Sequence, residues 1–204
     1  MAASGNTYRN YSDEALMELV GSKDAKAFEV LYDRYSRLMY NYFIRMLWKD
    51  KERARDFTQD LFMKLIHKPH LFDKNRQFKT WLYSIANNMC KNEYAKHEVR
   101  QTAHSEIRMQ PQSDETLQAP GKIDRSTFAG KLEEELQKLD EVKRTTFELR
   151  FRQELSILEI SEVMQCSEGT VKSRLFYTLK ELNQKLKIFE GILLWIILWQ
   201  FGNL

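Results

Sequence analysis

Apolar residues recur at the 3.6-residue spacing of a helix through most of this 204-residue chain, and only three prolines and seven glycines interrupt them. A side chain repeating at i, i+3, i+4 and i+7 lines one face of a helix, whereas a half-buried strand alternates with a period of two. No convincing alternating run occurs, so the chain reads as all-α. Its apolar content of 43% is enough for real cores.

Capping residues divide the periodic stretches into elements. Ser12 opens a short helix through Glu14, Leu16 and Leu19. A second helix is predicted from about Asp24 to Leu47, with Ala27, Phe28, Leu31, Tyr35, Leu38 and Tyr42 on one face. Asp50 suits the N-cap of a third, reaching about Ile66. The stretch "HKPHLFDKNRQF", residues 67–78, reads as a loop by its Pro, Asp and Asn content. A fourth helix follows from about Lys79 to His97. These four helices predict one compact bundle over residues 11–100.

Residues 101–127 are polar, hold two prolines and carry few large apolar side chains, which predicts a flexible linker. Helical spacing returns at Leu132, Leu136 and Leu139. Helices over 141–151, 156–165 and 168–187 complete a second small domain, 128–187. Residues 188–204 match neither domain.

Ser156 and Glu159 form the S-x-x-E pattern of a capping box. The helix they open carries Ile157, Ile160, Val163 and Met164, and Gln165 and Cys166 make a turn. Ser167 then caps a helix whose apolar face is Val171, Leu175, Leu179 and Leu182. This is the helix-turn-helix plan, in which the second helix enters the major groove by its N-terminal part. Thr170, Lys172, Ser173, Arg174 and Tyr177 then face duplex DNA, with Lys and Arg contacting phosphates or guanines. The alternative is a three-helix bundle with solvated cations and no ligand.

The third helix has the wrong charge for DNA. Ala54, Phe57, Leu61 and Leu65 share a core face, while Asp56, Gln59, Asp60 and Met63 share another. Such a patch repels phosphate and suits a basic protein surface, unless it is simply solvated. In the fourth helix and its loop, Trp81, Tyr83, Phe72 and Phe78 lie among Lys74, Arg76, Lys79, Asn87, Asn88, Lys91 and Asn92. Single-stranded nucleic acid needs such a mixture: rings for stacking, cations for phosphates and amides for base edges. A pocket for an unstacked base fits here, although Trp81, Leu82, Ile85 and Met89 also suit a core.

Composition narrows the function. The formal charge is only +3 despite 30% charged residues, so any nucleic-acid surface is local. Cys90 and Cys166 lie far apart and form no CxxC or Cys/His pattern, which predicts neither zinc nor a disulfide framework. His67 and His70 lack an obvious third ligand. No Ser/His/Asp set or Gly-rich phosphate loop is visible, so neither catalysis nor a cofactor is expected. The N-terminus has no basic-then-apolar leader, and a reducing cytoplasm is the expected compartment.

The two domains together resemble an extracytoplasmic-function (ECF) sigma factor of the sigma-70 family, over about residues 11–187. "DFTQDLF" at 56–62 and "FKTWLYSIANN" at 78–88 are similar to sigma region two; "LDEVKRTTFELRF" at 139–151 and "SEGTVKSRL" at 167–175 are similar to region four. The resemblance implies a noncatalytic subunit that binds core RNA polymerase, including its β′ and β subunits, and directs promoter recognition and DNA opening. It implies that Asp56, Gln59 and Asp60 bind the β′ clamp helices. Residues Phe72 to Phe78 and Asn88 would capture a flipped base of the minus-ten element. Lys172, Ser173 and Arg174 would read the minus-thirty-five element, and the linker would thread near the polymerase cleft. Two departures stand out: "FYTLKEL" leaves only Lys180 between Arg174 and Lys185, where the family usually has several cations, and Glu98 stands where basic residues are common.

Two other readings compete. A helix-turn-helix regulator acting without polymerase explains residues 139–187 but leaves the acidic face and aromatic loop unused. An adaptor linking polymerase to another DNA-bound protein makes DNA reading secondary. The tail adds "ILLWIILW", residues 192–199, after Gly191. As a helix it spans ~12 Å, far short of a ~30 Å hydrocarbon core, so no membrane span is expected. It folds back on the second domain, is an extension with no role, or docks a partner, such as an anti-sigma factor or a DNA-bound recruiting protein, through residues 191–204.

Overall fold

The computed structural model describes residues 8–104 and 125–186; within these, side chains are described for 8–100 and 128–186. The tail, and most of the expected linker, lie outside the described residues. Among the described residues there are helices and turns but no strands.

The expected caps at Ser12 and Asp50 form, and Asp24, expected as the first residue of the second helix, is instead its cap. α1 spans Asp13–Gly21, and the Ser12 hydroxyl accepts from the Ala15 N–H. α2 spans Ala25–Met46 with Asp24 accepting from Lys26 and Ala27. α3 spans Lys51–His67 with Asp50 accepting from Arg53. A single 3-10 turn, Pro69–Leu71, interrupts the following loop, and α4 runs Phe78–His104. α4 thus extends past the expected end at His97 and into the stretch read as linker.

One face is corrected. Leu38 is 43% exposed, and Met39 takes its place inside with Leu31, Tyr35, Tyr42 and Phe43. At 100° per residue the two positions compete for the stripe, and the longer, more adaptable Met fills the interior. α4 is positioned by a contact between elements far apart in sequence: Glu14 of α1 accepts from the Phe78 N–H at 2.9 Å. Burial raises the Glu14 carboxyl, but this amide and neighbouring donors outweigh it and hold the group below its ordinary range.

α5 spans Arg125–Lys138, and α6 spans Glu141–Phe147 with Asp140 as its cap. The chain then widens into a π-helical segment, Glu148–Arg152, where a single helix over 141–151 was expected. α7 covers Ile157–Met164 and α8 covers Glu168–Lys185. The Ser156–Glu159 capping box is complete, with both reciprocal bonds made. Gln165 turns the chain in the left-handed region at φ 53°, and Ser167 caps α8.

The two bundles do not stand apart. Leu149, Leu155, Ile160 and Val163 belong to the same continuous core as the first four helices. A second cluster of Phe128, Leu136, Leu139, Phe147, Leu179 and Leu182 holds α5 and the far end of α8. α7 packs along α4, and this contact is among the largest between helices.

Candidate polymerase and nucleic-acid interfaces

The acidic face of α3 lies open. Asp56, Gln59 and Asp60 are exposed, and Met63 keeps 41% of its surface. Ala54, Leu61 and Leu65 are fully buried on the opposite side, which fixes the direction of this face. Gln59 and Met63 also rim a groove between α2 and α3, lined by Tyr32, Tyr40, Phe62 and Ile66, with Arg37 and Arg55 at its edge. The groove was not legible in sequence, because half of its lining comes from α2, where Tyr32 reads as a residue just off the core stripe.

The loop before α4 turns its aromatics inward. Phe78 is fully buried and Trp81 nearly so. Phe72 meets Phe78 with ring centroids 5.8 Å apart and Trp81 at 5.0 Å. Phe78 is therefore core, contrary to its expected place on the nucleic-acid surface. Lys74, Asn88 and Lys91 are exposed, as a nucleic-acid surface requires. Asn87, expected beside Asn88, is 1% exposed and donates to the Val163 carbonyl at 3.4 Å, while its own Oδ1 has no hydrogen-bond partner. A 100° step around the helix separates the two amides, and α7 covers one of them. Arg76 and Lys79 also face the second bundle: Arg76 pairs with Glu162 at 3.4 Å, and Lys79 donates to the Gln153 carbonyl at 2.8 Å.

At the start of α8, Ser167 accepts from the Thr170 N–H, and its hydroxyl also bonds the Thr170 hydroxyl at 2.9 Å. Lys172 and Ser173 point outward, and Arg174 is half-buried, reaching the Cys166 sulfur at 3.5 Å. Tyr177 is 61% exposed beside Phe176, itself 58% exposed, with centroids 5.4 Å apart. Thr170, Ser173, Arg174, Tyr177 and Lys180 line an open concavity that α6 closes with Lys143. The Lys143 ammonium is held by Glu181 at 2.9 Å and Asp140 at 3.3 Å, and these partners raise its pKa. The exposed pair Phe176–Tyr177 was half missed: sequence selected Tyr177 and passed over Phe176, which is equally exposed.

The described residues hold no cluster of three His, Cys, Asp or Glu side chains suited to a metal ion. Among them no helix is long and apolar enough to cross a membrane.

A family model described as Sigma-70 region 2 matches residues 31–100, and one described as Sigma-70, region 4, matches residues 129–182. The RNA polymerase sigma-H factor of Pseudomonas aeruginosa is 30% identical over 183 residues, covering 86% of this chain and 94% of that protein. The chain belongs to the sigma-70 family. The ECF RNA polymerase sigma factor SigW of Bacillus subtilis is likewise 30% identical, over 80% of this chain and 91% of its own length. Relatives of this kind place the sigma factor in the ECF group. Its fold agrees with CnrH, solved in complex with the cytosolic domain of CnrY: TM-score 0.64 at 22% identity, over 88% of this chain and 99% of that one. It also agrees with the sigma factor RpoE of Bartonella quintana, solved with the anti-sigma factor NepR: TM-score 0.63 at 21% identity, over 81% and 99%. As a sigma factor the chain binds RNA polymerase for promoter-directed transcription initiation.

Proposed function

We propose that this sigma factor divides its task among three surfaces. The α3 face of Asp56, Gln59, Asp60 and Met63 docks on a basic helical surface of core polymerase, the β′ clamp helices. The exposed residues Lys74, Asn88 and Lys91, together with Phe72 and with Arg76, Lys79 and Asn87 when the second bundle is not against those three, hold the single-stranded minus-ten element. The start of α8, through Thr170, Lys172, Ser173, Arg174 and Tyr177, reads the minus-thirty-five duplex. Polymerase supplies the chemistry, and the sigma factor has no catalysis of its own; it works in the cytoplasm, under an anti-sigma factor or a DNA-bound recruiter.

The observation that carries this reading is the exposed acidic face of α3, with three polar side chains and an exposed Met beside an apolar groove. Carboxylates there would repel DNA but complement a basic protein, and Met adds adaptable apolar contact. The test is titration of core polymerase with the wild type and with the double variant Asp56→Ala, Gln59→Ala. Weaker binding at unchanged thermal stability supports the assignment, and equal affinity removes it.

A further inference from the structure

The groove between α2 and α3 is an apolar surface that the described residues leave open. Tyr32, Met63 and Ile66 on its rim are exposed, and Phe62 forms its floor. The chain also carries residues 192–199, "ILLWIILW", eight apolar side chains in succession. Contiguous apolar surface left bare favours association or aggregation, so each feature calls for a cover. We propose that residues 192–199 dock within their own chain in the α2–α3 groove, where the tail and core polymerase compete for Gln59 and Met63. The docking stands on the groove and the tail; the competition rests also on the assignment of α3 to polymerase.

The groove suits large rings. Tyr32 and Phe62 meet edge-on with centroids 4.8 Å apart, and Phe28 meets Phe62 edge-on at 6.2 Å. A further aromatic side chain extends such a cluster in the same geometry. The volume between the walls is about 670 Å³, within the ~300–1,000 Å³ of sites that enclose small molecules, so Trp195 or Trp199 fits. Spaced four apart, the two Trp would share one face of a helix. Charge points the same way. Arg37 and Arg55 stand at the edge, the lining holds no carboxylate, and neither guanidinium makes an ion pair among the described residues. These cations disfavour a basic occupant, unlike the neighbouring Asp56 and Asp60, whereas residues 188–204 carry a single charged side chain, Glu190.

The tail is long enough to reach. Leu186, just past α8, shares the second cluster with Leu136 of α5. Gln137, next to Leu136, donates to the Arg45 carbonyl of α2 at 3.1 Å. The width of α5, about 10 Å, therefore separates the end of α8 from α2. Along α2, Arg45 lies five residues from Tyr40 and thirteen from Tyr32, about 8 and 20 Å at the helical rise. The path to the far end of the groove is thus about 30 Å. Trp195 follows Leu186 by nine residues, which span about 30 Å when extended, and Trp199 adds about 13 Å.

The test maps the tail in the full chain. The photo-crosslinker p-benzoylphenylalanine replaces Ile196, between the two Trp, and the irradiated protein is digested for mass spectrometry. Crosslinks should fall within one chain, on the α2 and α3 residues of the groove. Ile66→Gln, on the groove wall and outside the assigned polymerase face, should lower that yield about tenfold, with helicity unchanged by circular dichroism. Crosslinks to α8 near Phe176 and Tyr177, crosslinks between copies, or none at all overturn the docking. The full chain with Trp195→Ser and Trp199→Ser should bind core polymerase several-fold more tightly than the wild type. Groove crosslinks with unchanged affinity of this variant overturn the competition and leave the docking standing. The α3 assignment is read separately: if Asp56→Ala with Gln59→Ala leaves polymerase affinity unchanged in chains with either tail, that assignment falls and takes only the competition with it.

Discussion

Arg45 on α2 donates through Nε to Oε2 of Glu148 at 2.7 Å, joining residues 103 apart in sequence. Arg152 takes the other carboxylate oxygen at 2.8 Å, and Glu148 itself is 1% exposed. One carboxylate therefore links the amino-terminal bundle to the π-helical segment of the second. Glu148→Ala would leave two mostly buried guanidinium groups without this acceptor. The expected loss is about 3 kcal/mol in denaturant unfolding, while Glu148→Gln, which keeps a carbonyl acceptor, should lose less. Equal and small losses would mean the pair contributes nothing to stability.

The same residue sets a pH dependence. Burial raises the Glu148 carboxyl above its ordinary range, and Arg152 and Arg45 only partly oppose this. The folded chain therefore binds this proton more tightly than the unfolded chain. The contribution favours folding below the ordinary carboxylate range and is lost as pH rises through the raised folded-state pKa. The Tm difference between wild type and Glu148→Gln should thus move in favour of the wild type as pH falls from ~7 toward ~4.3. Parallel Tm curves would remove the effect.

Asp56→Ala with Gln59→Ala should weaken core polymerase binding about tenfold or more, since exposed anchors at such interfaces each contribute on the order of 1 kcal/mol. Both side chains are exposed, so Tm should stay within a degree or two of the wild type.

Asn88→Ala should slow open-complex formation about tenfold while leaving polymerase affinity unchanged, because an exposed amide that meets an unstacked base acts only after the duplex parts. A promoter with that base already unpaired should remain sensitive to the change. Stopped-flow fluorescence of a labelled promoter reads the rate, and normal opening on duplex promoters would sink the assignment.

Lys172→Ala should weaken duplex binding alike on all sequences and lower the salt slope by about one, as expected for an exposed ammonium on a phosphate. Arg174 is half-buried against Cys166 and more constrained in direction, which suits a base contact. Its loss should cost about 1–3 kcal/mol and relax one promoter position. Filter binding across salt concentrations separates the two, and unchanged promoter use in both variants would remove α8 as the reader.

The sequence by itself determined the helices and most of their starts. Ser12, Asp50, Ser156 and Ser167 cap as expected because a capping bond forms within three residues and needs nothing distant. The direction of the α3 face followed for the same reason, since four apolar residues on one stripe force Asp56, Gln59 and Asp60 outward. The motif order also sufficed for the family. Tertiary structure alone decided what could not be read locally. Leu38 and Met39 sit at neighbouring angles, and only packing selects Met39 for the core. Phe78 and Trp81 are the same kind of residue whether they stack on bases or on each other, and Phe72 settles that they stack together. Asn87 and Asn88 are identical in sequence terms, yet α7, arriving from more than seventy residues away, buries one and leaves the other in water. A polar side chain takes whichever partner the fold brings to it, and that choice lies in contacts between distant residues rather than in local pattern.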